Sequence, residues 1–372
     1  MLEGVSMRIA ILGAYGNAGR AVARLLRTHT SHDLLLLGRD PAKLTSLVEE
    51  TRRIAGRGAV DGRPLPTAST REARADCLRG AQLLVVTAPL SANVGPWAEA
   101  ALDAGCDWLD VLLSVREKWA ALSALAPRAQ TEGRCLVTDG GVHPGVPGAL
   151  VRLAAGRIPA RSVRVAMRFG LIWRSLDFSD ATIEEFADEL TRYDPRTYHG
   201  GEWVSGWRWA RSFDFGSPVG KATCAPMYLE ELGEVQRSLP GLRDVGFWVA
   251  GFGPVVDYGA MPAAALLAKA GPWARPPSAR LLAWALRRFG ATRGGSIVLL
   301  EAEGDHGASL RLRLECEDGY VLTAAPPVAA ILQWDEARRP GLHAQACFVD
   351  PERLVSDLPS LGVAVVTGRD EA

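Results

Sequence analysis

The sequence predicts an α/β chain: a doubly wound parallel sheet in the first 155 residues, then a second α+β domain with a mixed or antiparallel sheet. Three observations predict it. Short apolar runs recur between helical patterns up to residue 141, and the first of them, "RIAIL", enters a glycine-spaced turn. Strands alternating with helices imply parallel pairing through right-handed crossovers. Past Gly156 the texture changes to longer strands of alternating pattern: "SVRVAMRFGLIW" (162–173), "SIVLLEAEG" (296–304) and "SLRLRLECE" (309–317). The last two read as an antiparallel hairpin turned by "DHG" (305–307). The expected division is 1–155, 156–330, and a C-terminal segment, 331–372, that packs back at the domain interface.

The first strand ends at Gly13, the turn holds Gly16, and Gly19 opens the helix "NAGRAVARLLRTH". This spacing lets the backbone pass close to a pyrophosphate at a helix N-terminus, the arrangement of a Rossmann-type dinucleotide site. A turn whose glycines serve packing alone is the alternative. The strand before, the helix after and a second strand at the expected distance favour the nucleotide, which would meet Gly13, Ala14, Tyr15, Gly16, Asn17, Ala18 and Gly19. The second strand ends "LLLLGRDPAK". Where a chain selective for NAD places Asp or Glu against the ribose 2′-hydroxyl, this one has Gly38 and Arg39. A guanidinium there pairs with a 2′-phosphate and Lys43 adds a second positive charge, so NADP(H) is favoured over NAD(H). Asp40 either joins the cofactor site or caps the helix that begins at Pro41.

The pattern continues with a helix over 41–54, a Gly- and Pro-rich link over 56–66, a short strand near Thr67 and a helix from Thr70. Strands follow at 82–89, 107–112 and 134–141, with helices at 94–105 and 114–132 between them. Ligands of such sheets lie beyond the carboxyl ends of the strands. Thr87, Ala88, Pro89, Asp110 and Gly141 therefore join the cofactor-binding candidates. In the second domain a helix is expected over 182–193 and an alanine-rich helical region over 261–289. Helices are expected over 320–333 and 350–366.

Composition excludes several classes. The chain has 372 residues, long enough for two domains, and its 42 basic residues balance 42 acidic ones, so overall charge gives no case for nucleic acid or an anionic membrane. Six scattered cysteines without a CxxC pair suit neither zinc nor a disulfide framework, and a reduced cytoplasmic protein is expected. No leader-like N-terminus and no run of about 18 apolar residues occurs. Association with an interface stays open, because six of the eleven tryptophans fall between Trp173 and Trp273.

Taken together, "GAYGNAGRAVARLL", "GRDPAKL", "ADCLRGAQLLVVTAPLSANVGPWAEAALDAGCDWLDV" and "TDGGVHPGVPGALV" resemble the saccharopine dehydrogenase-like reductase family. The likeness spans most of the first 155 residues, and "GYVLTAAPPVAAILQ" with "PGLHAQACFVDPERLVSDLPSLGV" is similar to the family's terminal pattern. The resemblance implies a Rossmann domain for NAD(P), a substrate domain that often makes a dimer contact, a cleft between them, and hydride transfer to or from an imine, carbonyl or activated double bond. A homodimer is expected on the same ground. The family's "AGPF" stands here as "TAPL" (87–90) and its "GE" as "LLS" (112–114), which leaves the substrate of any one member untransferable.

For the proton, His143 is the first candidate, placed after the sixth strand and titrating near neutrality if unperturbed. Its alternative is a backbone hydrogen bond in a Pro/Gly loop. Gly140, Gly141, Gly145 and Gly148 allow a ligand close to that loop. Asp110 and Asp139 end buried strands, where each orients a ribose or an ammonium or caps a loop. Arg168 and Arg174 on one strand face form a candidate carboxylate clamp, or that strand's solvated side. Tyr198, His199 and Lys221 complete the substrate-binding candidates, beside Tyr193 and Tyr228. Trp203, Trp207 and Trp209 form an apolar wall or core. No histidine spacing suggests a metal. The alternative from another class is an NADP(H)-binding sensor or scaffold without turnover.

Overall fold

A computed structural model of the chain describes residues 6–68, 70–90, 93–170, 193–217, 219–290 and 295–368. Two units divide it. Residues 1–153, 229–235 and 320–363 form the first, and 154–228, 236–319 and 364–372 the second.

The first unit contains β1 (Arg8–Leu12), α1 (Asn17–His29), β2 (Asp33–Gly38), α2 (Pro41–Arg53), β3 (Val60–Pro64), α3 (Arg71–Leu78), β4 (Leu83–Val86), α4 (Val94–Asp103), β5 (Asp107–Asp110), α5 (Arg116–Thr131) and β6 (Cys135–Thr138), and it ends in the first turns of α6 (Val146–Arg157). Its sheet has seven strands, all parallel: Gly341–Ala344, β6, β5, β4, β1, β2, β3. Ile9 pairs with Leu34 on one side and Leu83 on the other. Ile9, Ile11, Leu34 to Leu37 and Leu83 to Val86 are buried, as strands covered by helices on both faces must be, which is why they read as unbroken apolar runs. α1 buries Ala21, Val22, Leu25 and Leu26 on one stripe and ends with Arg27 and His29 in its last turn, where cations complement the helix dipole. Thr70 caps α3 through the Ala73 N–H.

Three expectations about elements are corrected. β3 lies at Val60–Pro64, inside the stretch expected to be a link, and among the described residues no strand forms near Thr67. It is an edge strand in which Gly62 lies against Val48 of α2, a position any larger residue would crowd. The parallel sheet gains a seventh strand from near the C-terminus, Gly341–Ala344. The stretch 350–366 holds the helix Pro351–Asp357 and a 3₁₀ turn, Leu358–Leu361, but then becomes a strand, Ala364–Gly368, of the second sheet.

The second unit is built on a mixed sheet of β7 (Ala160–Arg168), β8 (Arg196–His199), β9 (Glu202–Ser205), β10 (Arg211–Asp214), β11 (Lys221–Met227), β12 (Asp244–Ala250), β13 (Ser296–Gly304), β14 (Ser309–Cys316) and the final strand. Among the described residues of this sheet only β7 and β12 pair in parallel. β13 and β14 form the expected antiparallel hairpin, its turn at Asp305–Gly307. The strand expected over 162–173 runs from Ala160 to Arg168. The helix expected over 182–193 lies outside the described residues except for Tyr193. Among the described residues no helix is long and apolar enough to cross a membrane.

Candidate functional site

The carboxyl ends of the first unit's strands form a rim with two differently built ends. At one, β1 runs into α1 through Gly13 to Gly16. Gly13 has φ +87° and lies against the Ala88 backbone, and a side chain on it would place Cβ 2.7 Å from that of Ala88. A side chain at Gly19 would collide with the Gly13 carbonyl. Helix α1 starts on Gly16, with no side-chain cap and no acidic residue in its first turn. Its first N–H groups thus face the turn without a carboxylate competing for them, which suits a bound anion. Thr87, whose N–H and hydroxyl both donate to the Leu12 carbonyl at 2.9 Å, pins β4 to the end of β1.

Tyr15 links this turn to β2. Its ring lies across Gly38, and its hydroxyl accepts from the Arg39 N–H at 3.2 Å. Arg39 and Lys43 project exposed beside it. Asp40, counted among the cofactor candidates, is instead the N-cap of α2, its Oδ1 accepting from Ala42 N and Lys43 N at 3.0 and 3.1 Å. A dinucleotide fits these residues: the close backbone and open helix start suit a pyrophosphate, and two cations stand where the second strand ends.

At the other end the fold brings a lysine between two carboxylates. The Lys118 ammonium donates to Asp110 Oδ1 at 2.9 Å, Asp139 Oδ1 at 2.6 Å and the Leu112 carbonyl at 3.0 Å, so all its protons are placed. Asp110 also accepts from Trp108 Nε1 and Leu112 N, and Asp139 from the Ser114 hydroxyl and Trp119 Nε1. The three charged side chains are buried. Burial works against the Lys118 charge, and the two carboxylates outweigh it, holding its pKa above the ordinary lysine value. Burial also raises the Asp139 carboxyl, although Lys118 pulls it down. Asp139 holds φ +58°, a left-handed conformation that Asp tolerates better than most residues. Asp110 is therefore a partner of Lys118 rather than a free ligand for a ribose.

Glu231 completes this end and was not found from sequence. It is fully buried and accepts from Gly145 N at 2.9 Å and Gly148 N at 3.2 Å, capping the start of α6. Gly148 makes room for it, since a Cβ there would lie 3.1 Å from Glu231 Oε2 and 2.6 Å from Ala346 Cβ. Oε2 has no hydrogen-bond partner among the described residues. Burial first, then the charge of Asp139, pushes the Glu231 carboxyl up to about 8. His143 goes the opposite way: burial lowers its imidazole to about 4, so it is neutral at physiological pH and does not titrate near neutrality as expected. Gly141 bridges to Gly145 in the same loop.

The second unit does not gather its substrate candidates. Tyr198 stands opposite Val245 of β12, which pairs with Val163 of β7. Arg168 ends β7 five residues farther on, about 16 Å at the rise of an extended strand. His199 Nδ1 lies against the Asp244 carboxylate, and Lys221 opens β11 opposite Asp214. Arg174 lies outside the described residues. The tryptophans belong to a stack at the β8–β9 end: Trp203 packs edge-on against Tyr228, Trp207 on Tyr193, and Trp209 on His199. Among the described residues no group of His, Cys, Asp or Glu could hold a metal ion.

Residues 9–133 match the saccharopine dehydrogenase NADP binding domain. The chain thus carries an NAD(P)-binding domain in an oxidoreductase fold, whose closely packed glycine turn is the one described above. In that domain the chain is similar to the saccharopine dehydrogenase-like NAD(P)-binding proteins. A comparison with curated proteins finds no match. Among solved structures, apo saccharopine dehydrogenase (L-Glu forming) from Saccharomyces cerevisiae is similar over 98% of this chain and 100% of its own, at 12% identity and TM-score 0.68, which shows a shared fold. An amine dehydrogenase from Mycobacterium smegmatis covers 94% of this chain and 98% of its own at 12% identity, with a TM-score of 0.47.

Proposed function

We propose that the chain is an NADP(H)-dependent oxidoreductase acting on an imine, a carbonyl or an activated carbon–carbon double bond of an organic substrate. The observation that carries the reading is the β1–α1 turn, an open helix start over closely packed glycines within the matched domain. A bound nicotinamide would supply or accept the hydride. The backbone from Gly13 to Gly19 would hold the pyrophosphate, Arg39 and Lys43 the 2′-phosphate, and Thr87 to Pro89 with Gly141 the inner half of the dinucleotide.

The chain's own groups at the far end of the rim position and hold protons. Lys118 ties the loop after β5 to the loop after β6, fixing both against the sheet. Glu231 carries its proton up to about pH 8, whereas His143 stays neutral at pH 7 and is a weak base there, its burial opposing the charged form. The reading is tested by following NADPH consumption with panels of amine plus keto acid, carbonyl and enoyl substrates. Substrate-dependent consumption supports it. Binding of NADPH with no consumption on any panel supports the sensor or scaffold instead.

A further inference from the structure

We propose that the helical region 255–289 of the second unit docks on an anionic lipid bilayer. A π-helical turn, Val256–Ala260, runs into the helix Met261–Ala268; a 3₁₀ turn, Pro272–Ala274, then leads into the helix Arg275–Phe289. Val256, Ala264, Leu282, Ala285 and Leu286 turn inward and form a small core. What remains outward is also apolar. Tyr258 is 81% exposed, Leu266 73%, Trp273 71% and Trp284 58%. Tyr258, Pro262 and Leu266 follow one another at a spacing of four, so they share one helix face. No charged residue occurs from 258 to 268. A helix face turned to water ordinarily carries charge, and a contiguous apolar face marks an interaction surface.

The charges around this face identify what covers it. Between 255 and 290 stand the exposed Lys269 and Arg280, with Arg275, Arg287 and Arg288, which also engage partners of their own, against the one acidic residue Asp257. Asp257 is turned to its own loop, accepting from Phe252 N at 2.8 Å and Gly253 N at 3.1 Å. The chain as a whole is balanced at 42 and 42, so the positive excess is local to the greasy face. Tryptophan and tyrosine rings settle at the headgroup level of a bilayer, leucine below them, and arginine and lysine reach the lipid phosphates. A second copy of the chain is a poor occupant, because a two-fold contact through this patch sets Lys269 and Arg280 against the same two cations. A nucleic acid would leave the uncharged face of 258–268 against its backbone.

Co-sedimentation of the full chain tests this, using vesicles of phosphatidylcholine alone and of phosphatidylcholine with roughly a third phosphatidylglycerol, at low and high salt. The expected result is partition at least about tenfold stronger onto the anionic vesicles, weakened by salt. The variant Tyr258→Ser/Leu266→Ser/Trp273→Ser loses partition onto both compositions, and Lys269→Glu/Arg280→Glu loses the preference for anionic lipid, with melting temperature and NADPH binding unchanged in both. NADPH binding, read in the same samples, keeps the docking result separate from the cofactor reading. No partition on either composition overturns the proposal, as does partition that neither variant alters. So does a serine variant that turns a dimer into a monomer in analytical ultracentrifugation, or retention of the wild-type chain on nucleic acid but not on lipid.

Discussion

The two ends of the first unit's rim are built from different distances along the chain. Between Gly13 and Lys43 every part of the site belongs to one strand–helix–strand unit, and the parts are mostly backbone: a left-handed glycine, an open helix start, a tyrosine hydroxyl holding the Arg39 amide. At the far end the parts are side chains brought together from afar. Lys118 meets Asp139 across 21 residues, and Glu231 reaches Gly145 across 86. The first end is suited to receive a charge from outside, whereas the second already holds its own charges, buried and paired. A polar group exposed to ligand must differ in its energetics from one whose every proton is placed, and substitutions should separate the two.

The largest effect is expected at the buried end. Lys118→Met leaves Asp110 and Asp139 in the interior without their cation, and denaturant unfolding should show a loss of about 3–5 kcal/mol. A loss below about 1 kcal/mol would mean that the carboxylates find water or another partner and that the ammonium fixes nothing.

Glu231 gives a pH signature. Its folded pKa of about 8 lies above the ordinary 4.5, so between these values the folded state holds a proton that the unfolded state has released. Stability from this group therefore falls as pH rises through that window and levels off above it, by about 5 kcal/mol at most. Glu231→Gln keeps an acceptor for Gly145 and Gly148 but removes the titration. Its unfolding free energy measured from pH 5 to 9 should lack the decline, and parallel curves for the two proteins would contradict the assignment.

At the open end, the expected change is in binding. Gly19→Ala pushes a methyl group into the Gly13 carbonyl, and displacement of the turn should weaken either dinucleotide by about a hundredfold in a fluorescence titration. Unaltered affinity would show that the turn is only a packing corner. The smallest effect belongs to Asp40→Ala, which removes the cap of α2 and should cost about 1 kcal/mol of stability while leaving dinucleotide affinity unchanged. An affinity loss there would return Asp40 to the cofactor site.

The same contrast decides what could be read from sequence. The Gly13, Gly16 and Gly19 spacing, the buried strands and the Asp40 cap are local patterns, legible because neighbours in sequence are neighbours in space. β3 was hidden by its own glycine and proline, which signal a link unless one knows that α2 covers the edge at Gly62. Lys118 stood as an ordinary helix lysine, and only the pairing of β5 with β6 puts Asp110 and Asp139 beside it. Glu231 carries no signal at all, because the room it occupies is made by Gly148. In the second unit, Arg168, Tyr198, His199 and Lys221 were grouped by chemistry, and strand register separates them. The tryptophan excess did point to a greasy second domain, but the outward face at 258–268 depends on which helix side the small core takes.

Whether the Gly13–Lys43 end receives NADP(H) is decided by titration of the wild-type chain and Arg39→Ala with NADPH and NADH. Wild type is expected to prefer NADPH, and the substitution to weaken NADPH by about 1.5–3 kcal/mol, roughly ten- to a hundredfold, while leaving NADH unchanged. Equal affinity for the two dinucleotides, an equal loss of both in the variant, or binding of neither would contradict it.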